Sequence, residues 1–141
     1  MNRLVDLILT VIRRHRDLLL FSVVGTIAFI VDASIVWALV HTGLDPVESQ
    51  TVAFAVSITV GWLLNRSFTF YQYASANILR EWLRYIAANS FGNIISNGIY
   101  VILVLEVGLF AKEPVLAVAI GAISGLVFNF TASRTLVFRD R

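Results

Sequence analysis

The sequence predicts an all-α integral membrane protein: four transmembrane helices arranged as two parallel two-helix repeats, preceded by a short N-terminal interfacial helix. Three observations predict it. Of 141 residues, 58% are hydrophobic and 14% are charged, whereas a soluble domain carries roughly a quarter charged residues; the mean hydropathy is +0.82. The apolar residues gather into stretches of about 20, and about 20 helical residues make a rod of about 30 Å, the thickness of a bilayer's hydrocarbon core. The chain's two prolines, Pro46 and Pro114, each open a stretch that reaches an arginine at the same spacing, Arg66 and Arg134. Both stretches finish alike, Asn65-Arg66-Ser67-Phe68-Thr69-Phe70 and Ser133-Arg134-Thr135-Leu136-Val137-Phe138, which marks a duplication.

Residues 1–16 read as an N-terminal amphipathic cytoplasmic segment. Leu4, Leu7, Ile8, Val11 and Ile12 are interrupted by Asp6 and followed by arginines, the pattern of an interfacial helix. No small-residue cleavage site follows an uninterrupted apolar core, so it is a poor signal peptide. Residues 17–141 form a single four-helix membrane domain, with repeat 1 over about 17–71 and repeat 2 over about 80–139. The apolar spans within it are 18–40, 47–64, 85–105 and 115–132. Helices are expected because backbone in hydrocarbon must satisfy its own hydrogen bonds, and no short segments alternate as in a transmembrane barrel. In Asp45-Pro46-Val47-Glu48 a capping carboxylate precedes a proline at the first helical position and a glutamate at the third. Glu113-Pro114 repeats part of this device.

Basic residues set the expected orientation. Arg3, Arg13, Arg14 and Arg16 precede the first span, Arg66, Arg80 and Arg84 lie between the second and third, and Arg134, Arg139 and Arg141 follow the fourth. Lys112 sits on the opposite side with Asp45, Glu48, Glu106 and Glu113. By the positive-inside rule both termini are cytoplasmic, and the two repeats share one orientation about an axis along the membrane normal.

Several function classes are excluded or disfavoured. The net charge is +2, but the arginines cluster at span ends, where they meet anionic lipid headgroups, so no nucleic acid partner is expected. The absence of cysteine removes disulfide and thiolate chemistry. No glycine-rich phosphate loop leads to a lysine, so no ATP hydrolysis is expected. His15 and His41 read as lying in different loops on opposite faces, which disfavours a shared metal site. No paired acidic motif suits a sugar-nucleotide metal. The expectation is a protein that is not an enzyme, with no cofactor and no bound metal.

Candidate functional residues are polar groups that the bilayer penalises. Asp32 lies about 20 Å into the first span by helical rise, where an ionised Asp costs about 2.5 to 3.5 kcal/mol on translocon-type scales. It either sets packing through a hydrogen bond to a neighbouring helix or handles substrate or protons. Asn89, Asn93 and Asn97 recur at i, i+4 spacing in the third span, with Ser90 and Ser96 beside them, and Asn129 lies about one and a half turns before Arg134. These amides either glue helices together or line a polar seam running inward from the cytoplasmic face. Arg66 and Arg134, ending the duplicated helices, suit bidentate binding of phosphate oxygens, with headgroup snorkelling as the alternative. Tyr71, Tyr73, Trp82 and Tyr85 read mainly as an aromatic belt. Gly121 and Gly125 form a small-xxx-small pair for close helix approach, within one chain or between chains.

Four spans, a first span beginning Phe21-Ser22-Val23-Val24-Gly25 and carrying Asp32, and the paired endings 65–70 and 129–138 resemble the GtrA-like family of small bacterial membrane proteins over nearly the whole chain. The resemblance implies a role in cell-surface polysaccharide synthesis in the bacterial inner membrane. There, such proteins are proposed to flip a polyprenyl-phosphate-linked sugar, made by a partner polyprenyl-phosphate glycosyltransferase, between leaflets. Gly61 stands where the family pattern often has Asn, as Asn129 does in the second half, so the halves are not expected to act identically. On this reading Arg66, Arg84 and Arg134 catch the phosphate, and Asp32, Asn89, Asn93, Asn97 and Asn129 replace water around the sugar. Enclosing a sugar headgroup needs more wall than four helices supply, so a homodimer or larger assembly is expected. Two rivals are a proton-coupled exporter of small cations working through Asp32, and a non-transporting scaffold for the glycosyltransferase.

Overall fold

The computed structural model describes residues 2–138. Arg139 and Arg141, assigned above to the end of the fourth span, lie outside the described residues. Among those described, every regular element is helical: α1 (Asn2–His41), α2 (Pro46–Leu64), α3 (Ile78–Glu106), a short α4 (Gly108–Lys112) and α5 (Pro114–Ala132). Four of these are long and apolar enough to cross a membrane. Large apolar side chains stand fully outward along them, including Phe29 at 70% and Leu105 at 74% exposure. In water such surfaces would aggregate; in lipid they are solvated. The protein is an all-α membrane protein.

The chain divides into two compact units, one ending at Ala74 and the other beginning at Ser75. Each contains one long helix pair, α1 with α2 and α3 with α5.

In the first unit, the N-terminal segment is helical but is not a separate helix. α1 runs 40 residues without a break, about 60 Å at 1.5 Å per residue, roughly twice the hydrocarbon core. Residues 4–24 contain neither proline nor glycine, so nothing stops the amphipathic segment from fusing with the span. His15 and His41, expected in loops, both lie on this helix, each bonded through Nδ1 to the carbonyl four residues earlier. Gly43 takes a φ of +92°, the left-handed conformation that closes the helix at little cost for glycine. Asp45 caps α2 as its sequence predicts, its Oδ1 accepting from the Val47 and Glu48 amides at 2.8 and 3.4 Å. In the second unit, Glu113 makes no such side-chain cap, and α5 instead follows directly on α4.

The duplicated endings fold alike. α2 and α5 each widen into one π turn, Asn65–Thr69 and Ser133–Val137. The Phe70 amide donates to the Asn65 carbonyl at 2.7 Å, and the Phe138 amide to the Ser133 carbonyl at 2.8 Å. Each wide turn places its closing phenylalanine in the core of its own unit: Phe70 lies 6.2 Å from Phe21 and Phe138 lies 6.3 Å from Tyr85, centroid to centroid. Phe21 and Tyr85 are therefore equivalent positions of α1 and α3. Asp17 and Glu81, one helical turn earlier, are both buried.

In the second unit α3 and α5 approach through small residues. A Cβ on Gly121 would come 2.7 Å from the Ser96 carbonyl oxygen, and one on Gly125 would come 2.9 Å from the Ser96 Cβ. The glycine pair therefore serves packing within the chain, where close approach gains the dispersion contacts that hold membrane helices together. We expect Gly121→Ala, which collides with backbone, to destabilise the protein by about 1–3 kcal/mol. Gly98→Ala, with nothing within 4 Å of the new methyl, should not destabilise it; thermal unfolding of the two variants in detergent compares them.

Candidate functional site

Most polar groups in the spans are satisfied by their own helix. The hydroxyls of Ser22, Thr26, Ser34, Thr51, Thr59, Ser124 and Thr135 each donate to the carbonyl four residues back. Such bonds let a hydroxyl face lipid without a partner. The groups left after this are the candidates for function.

Asp32 is the first. It projects from α1 toward α2, where Gln50 Nε2 donates to both carboxylate oxygens at 3.3 and 3.1 Å. Ser57 Oγ lies 3.1 Å from Asp32 Oδ1 and 3.2 Å from the Phe54 carbonyl, so its one proton serves one of them at a time. The carboxylate thus bridges the helix pair but remains only partly buried. In the second unit the equivalent position of α3 is Ser96, packed against Gly121 and Gly125. The same crossing is a polar cluster in one unit and a glycine contact in the other.

The amides occupy a second region. On α3, Glu81, Tyr85, Gly92 and Ser96 make up the face packed against α5, and the ladder Asn89, Asn93, Asn97 runs along its flank. Asn89 Nδ2 donates to the Tyr85 carbonyl and Asn97 Nδ2 to the Asn93 carbonyl, both at 2.9 Å. An amide carries two donor protons and an acceptor oxygen, so each keeps a free N–H and a free carbonyl. The Asn93 side chain has no hydrogen-bond partner among the described residues, and Asn93 and Asn97 are exposed. Asn129 sits apart from the ladder. Its side chain fills the space a Cβ on Gly92 would take, 1.6 Å from Oδ1, and that oxygen is buried without a donor among the described residues.

The arginines lie at the π-turn ends of the pairs. Arg66 and Arg134 occupy the second position of their π turns and are partly buried. The Arg66 guanidinium stacks over the Trp62 ring at 5.9 Å, which orients its plane. Beside the first π turn a small polar pocket is lined by Arg13, Arg16, Asp17, Thr69 and Tyr71–Tyr73. In the second unit, the Glu81 carboxylate accepts from the Ser75 amide and is buried. Arg84 is exposed one turn from it, at the mouth of an open groove of about 520 Å³ between α3 and α5.

Residues 20–138 match the family model described as GtrA/DPMS, transmembrane domain. The chain belongs to that family. Comparison with curated proteins finds no match. Membership in the GtrA/DPMS family ties the chain to processes that handle polyprenyl-phosphate-linked sugars. Among the described residues, no three His, Asp or Glu side chains gather to hold a metal ion.

Sequence reasoning missed Gln50 and Ser57 as partners of Asp32, because hydrogen bonding between helices depends on register. It also missed the buried carboxylates Asp17 and Glu81. Their signal was present: each precedes the ring that packs on a π turn, Phe21 or Tyr85, by one helical turn. Because Asp32 joins α1 to α2, Asp32→Ala and Gln50→Ala should each destabilise this GtrA/DPMS chain. A double-mutant cycle by unfolding in detergent should give a coupling of about 0.5–3 kcal/mol.

Proposed function

We propose that the protein moves a polyprenyl-phosphate-linked monosaccharide, or the polyprenyl phosphate itself, between leaflets of the bacterial inner membrane during cell-surface polysaccharide synthesis. It acts as a transporter and not as an enzyme, with both termini cytoplasmic. The observation that carries this reading is the unspent hydrogen-bonding capacity of Asn89, Asn93 and Asn97 inside an apolar span. Removing a hydroxyl or amide from water without a new partner costs about 2–7 kcal/mol, so a sugar cannot cross hydrocarbon unaided. Free amide N–H and carbonyl groups can stand in for that water. A polyprenyl tail stays in lipid throughout, so the protein needs only a polar flank and not a sealed channel.

Arg66, Arg84 and Arg134 receive the phosphate at the cytoplasmic face, where planar guanidinium groups pair with its oxygens. Asp32, held by Gln50 and Ser57, accepts from sugar hydroxyls deeper in the membrane, while Asn129, wedged at Gly92, stands outside the amide set. A glycosyltransferase that makes the lipid-linked sugar is the natural partner, and assembly as a homodimer or larger supplies the wall that one chain lacks.

In proteoliposomes, the protein should accelerate movement of a labelled polyprenyl-phosphate sugar. Arg66→Ala, Arg134→Ala and Asp32→Asn should each slow it by about ten- to a hundredfold, the range expected for losing a hydrogen bond to a charged group. Wild-type rates in all three variants would overturn the assignment. For orientation, reporter fusions at either terminus should be active only when the reporter works in the cytoplasm; activity of a periplasmic reporter at either end would reverse the topology.

A further inference from the structure

The groove at Arg84 belongs to the second unit and has a particular composition. One wall is the α3 face Arg84, Ala87, Ala88 and Phe91, and the other is Phe128 and Ala132 of α5, with Leu136 of the π turn closing one end. Four residues spaced i, i+3, i+4 and i+7 on one helix give it a length of about 10 Å. At the end away from Arg84, Phe91 and Phe128 stack with centroids 6.1 Å apart and planes at 29°. Arg84 has no hydrogen-bond or ion-pair partner among the described residues. The site is therefore an apolar slot with a cation at one end, unpaired among the described residues, and an aromatic floor at the other.

The first unit does not repeat this composition. Taking Phe21 with Tyr85, and Arg66 with Arg134, as equivalent, the alanines 87, 88 and 132 correspond to Val23, Val24 and Leu64. The equivalent positions of the first unit carry three larger side chains where the second has methyl groups. The recess beside Arg84 thus has smaller side chains than the equivalent positions of the first unit.

We propose that this slot is the seat of the first isoprene units of an isoprenoid lipid phosphate, with the phosphate on Arg84. Charge selects an anion at the Arg84 end, and the bilayer supplies it at the headgroup level. Shape selects the chain. The alanine-lined recess between Arg84 and the stacked rings accepts the methyl branches of an isoprenoid, whereas a straight acyl chain leaves it partly void and loses those dispersion contacts. The proposal rests on the lipid-linked substrate proposed above and adds where its tail is held.

The test reads binding and not transport, so it is separate from the flipping assay. The full-length protein in nanodiscs is photolabelled with a diazirine-bearing polyprenyl phosphate or with diazirine-bearing phosphatidylglycerol, and the labelled peptides are mapped. The polyprenyl probe should label the segments around Phe91 and Phe128, and unlabelled polyprenyl phosphate should compete while phosphatidylglycerol does not. Ala87→Leu and Ala88→Val should each cut that labelling about tenfold, while Arg84→Gln should weaken labelling by the phosphate probe but not by the matching polyprenol. Ala87 is exposed, so its variant fills the slot without disturbing the core, and an unchanged melting curve certifies the fold. Equal labelling by phosphatidylglycerol, protection of the slot by a second copy or by other parts of the chain, or indifference to both alanine variants would each overturn the proposal. Loss of flipping with this labelling intact would instead sink the transport reading alone.

Discussion

Hydrocarbon does not hydrogen-bond, and the rest of this protein follows from that. Each backbone N–H and carbonyl in a span must find its partner within the helix. The spanning segments are accordingly α-helical, and where α2 and α5 leave that geometry they do so as π turns, which keep their bonds through the Phe70 and Phe138 amides. The hydroxyls of Ser22, Thr26, Ser34, Thr51, Thr59, Ser124 and Thr135 obey the same rule by bonding one turn back. Helices gain nothing from hiding apolar surface from lipid, so the α3–α5 pair is held by close packing across Gly121, Gly125 and Ser96. Against this background a polar group that stays unpaired is costly, and the side chain of Asn93 and the buried side-chain carbonyl of Asn129 stand out among the described residues.

The two units show what duplication keeps and what it releases. Kept are the proline start, the arginine in the π turn, the closing phenylalanine and the ring it meets, with a buried carboxylate one turn before that ring. These features fix the helix ends and the packing there. Between them the units diverge. Where α1 offers Asp32 to Gln50 and Ser57, α3 offers Ser96 to two glycines. Where the first unit has Val23, Val24 and Leu64, the second has alanines and an open groove. A common frame thus carries two different surfaces, a polar cluster in one unit and an alanine-lined groove in the other.

Much of the fold was legible in the sequence, because span length, proline starts and the repeated endings are local signals. The N-terminal boundary was not: Asp6 and the arginines suggested a separate interfacial helix, but charged residues do not stop a helix that extends beyond the hydrocarbon, and α1 runs through. The π turns were invisible because Asn65-Arg66-Ser67 carries no breaker. For the site, residue types pointed to Asp32, the amide ladder and the arginines. Their surroundings required geometry. Asn129 looked like a member of the ladder by type and depth, yet its side chain is wedged at Gly92. Gln50 and Ser57 look ordinary until α2 is set beside α1.

The central claim is that the flank of α3 meets a hydrophilic cargo at a depth where an ordinary span meets only lipid. The chain contains no cysteine, so single cysteines placed at Asn93 and Asn97 report without background. In proteoliposomes of fixed orientation, a membrane-impermeant thiol reagent should modify both, and a polyprenyl-phosphate sugar should slow that modification, while a cysteine at lipid-facing Ile94 stays unreactive. Reaction at neither amide position, or reaction that the lipid-linked sugar leaves unchanged, would contradict the claim.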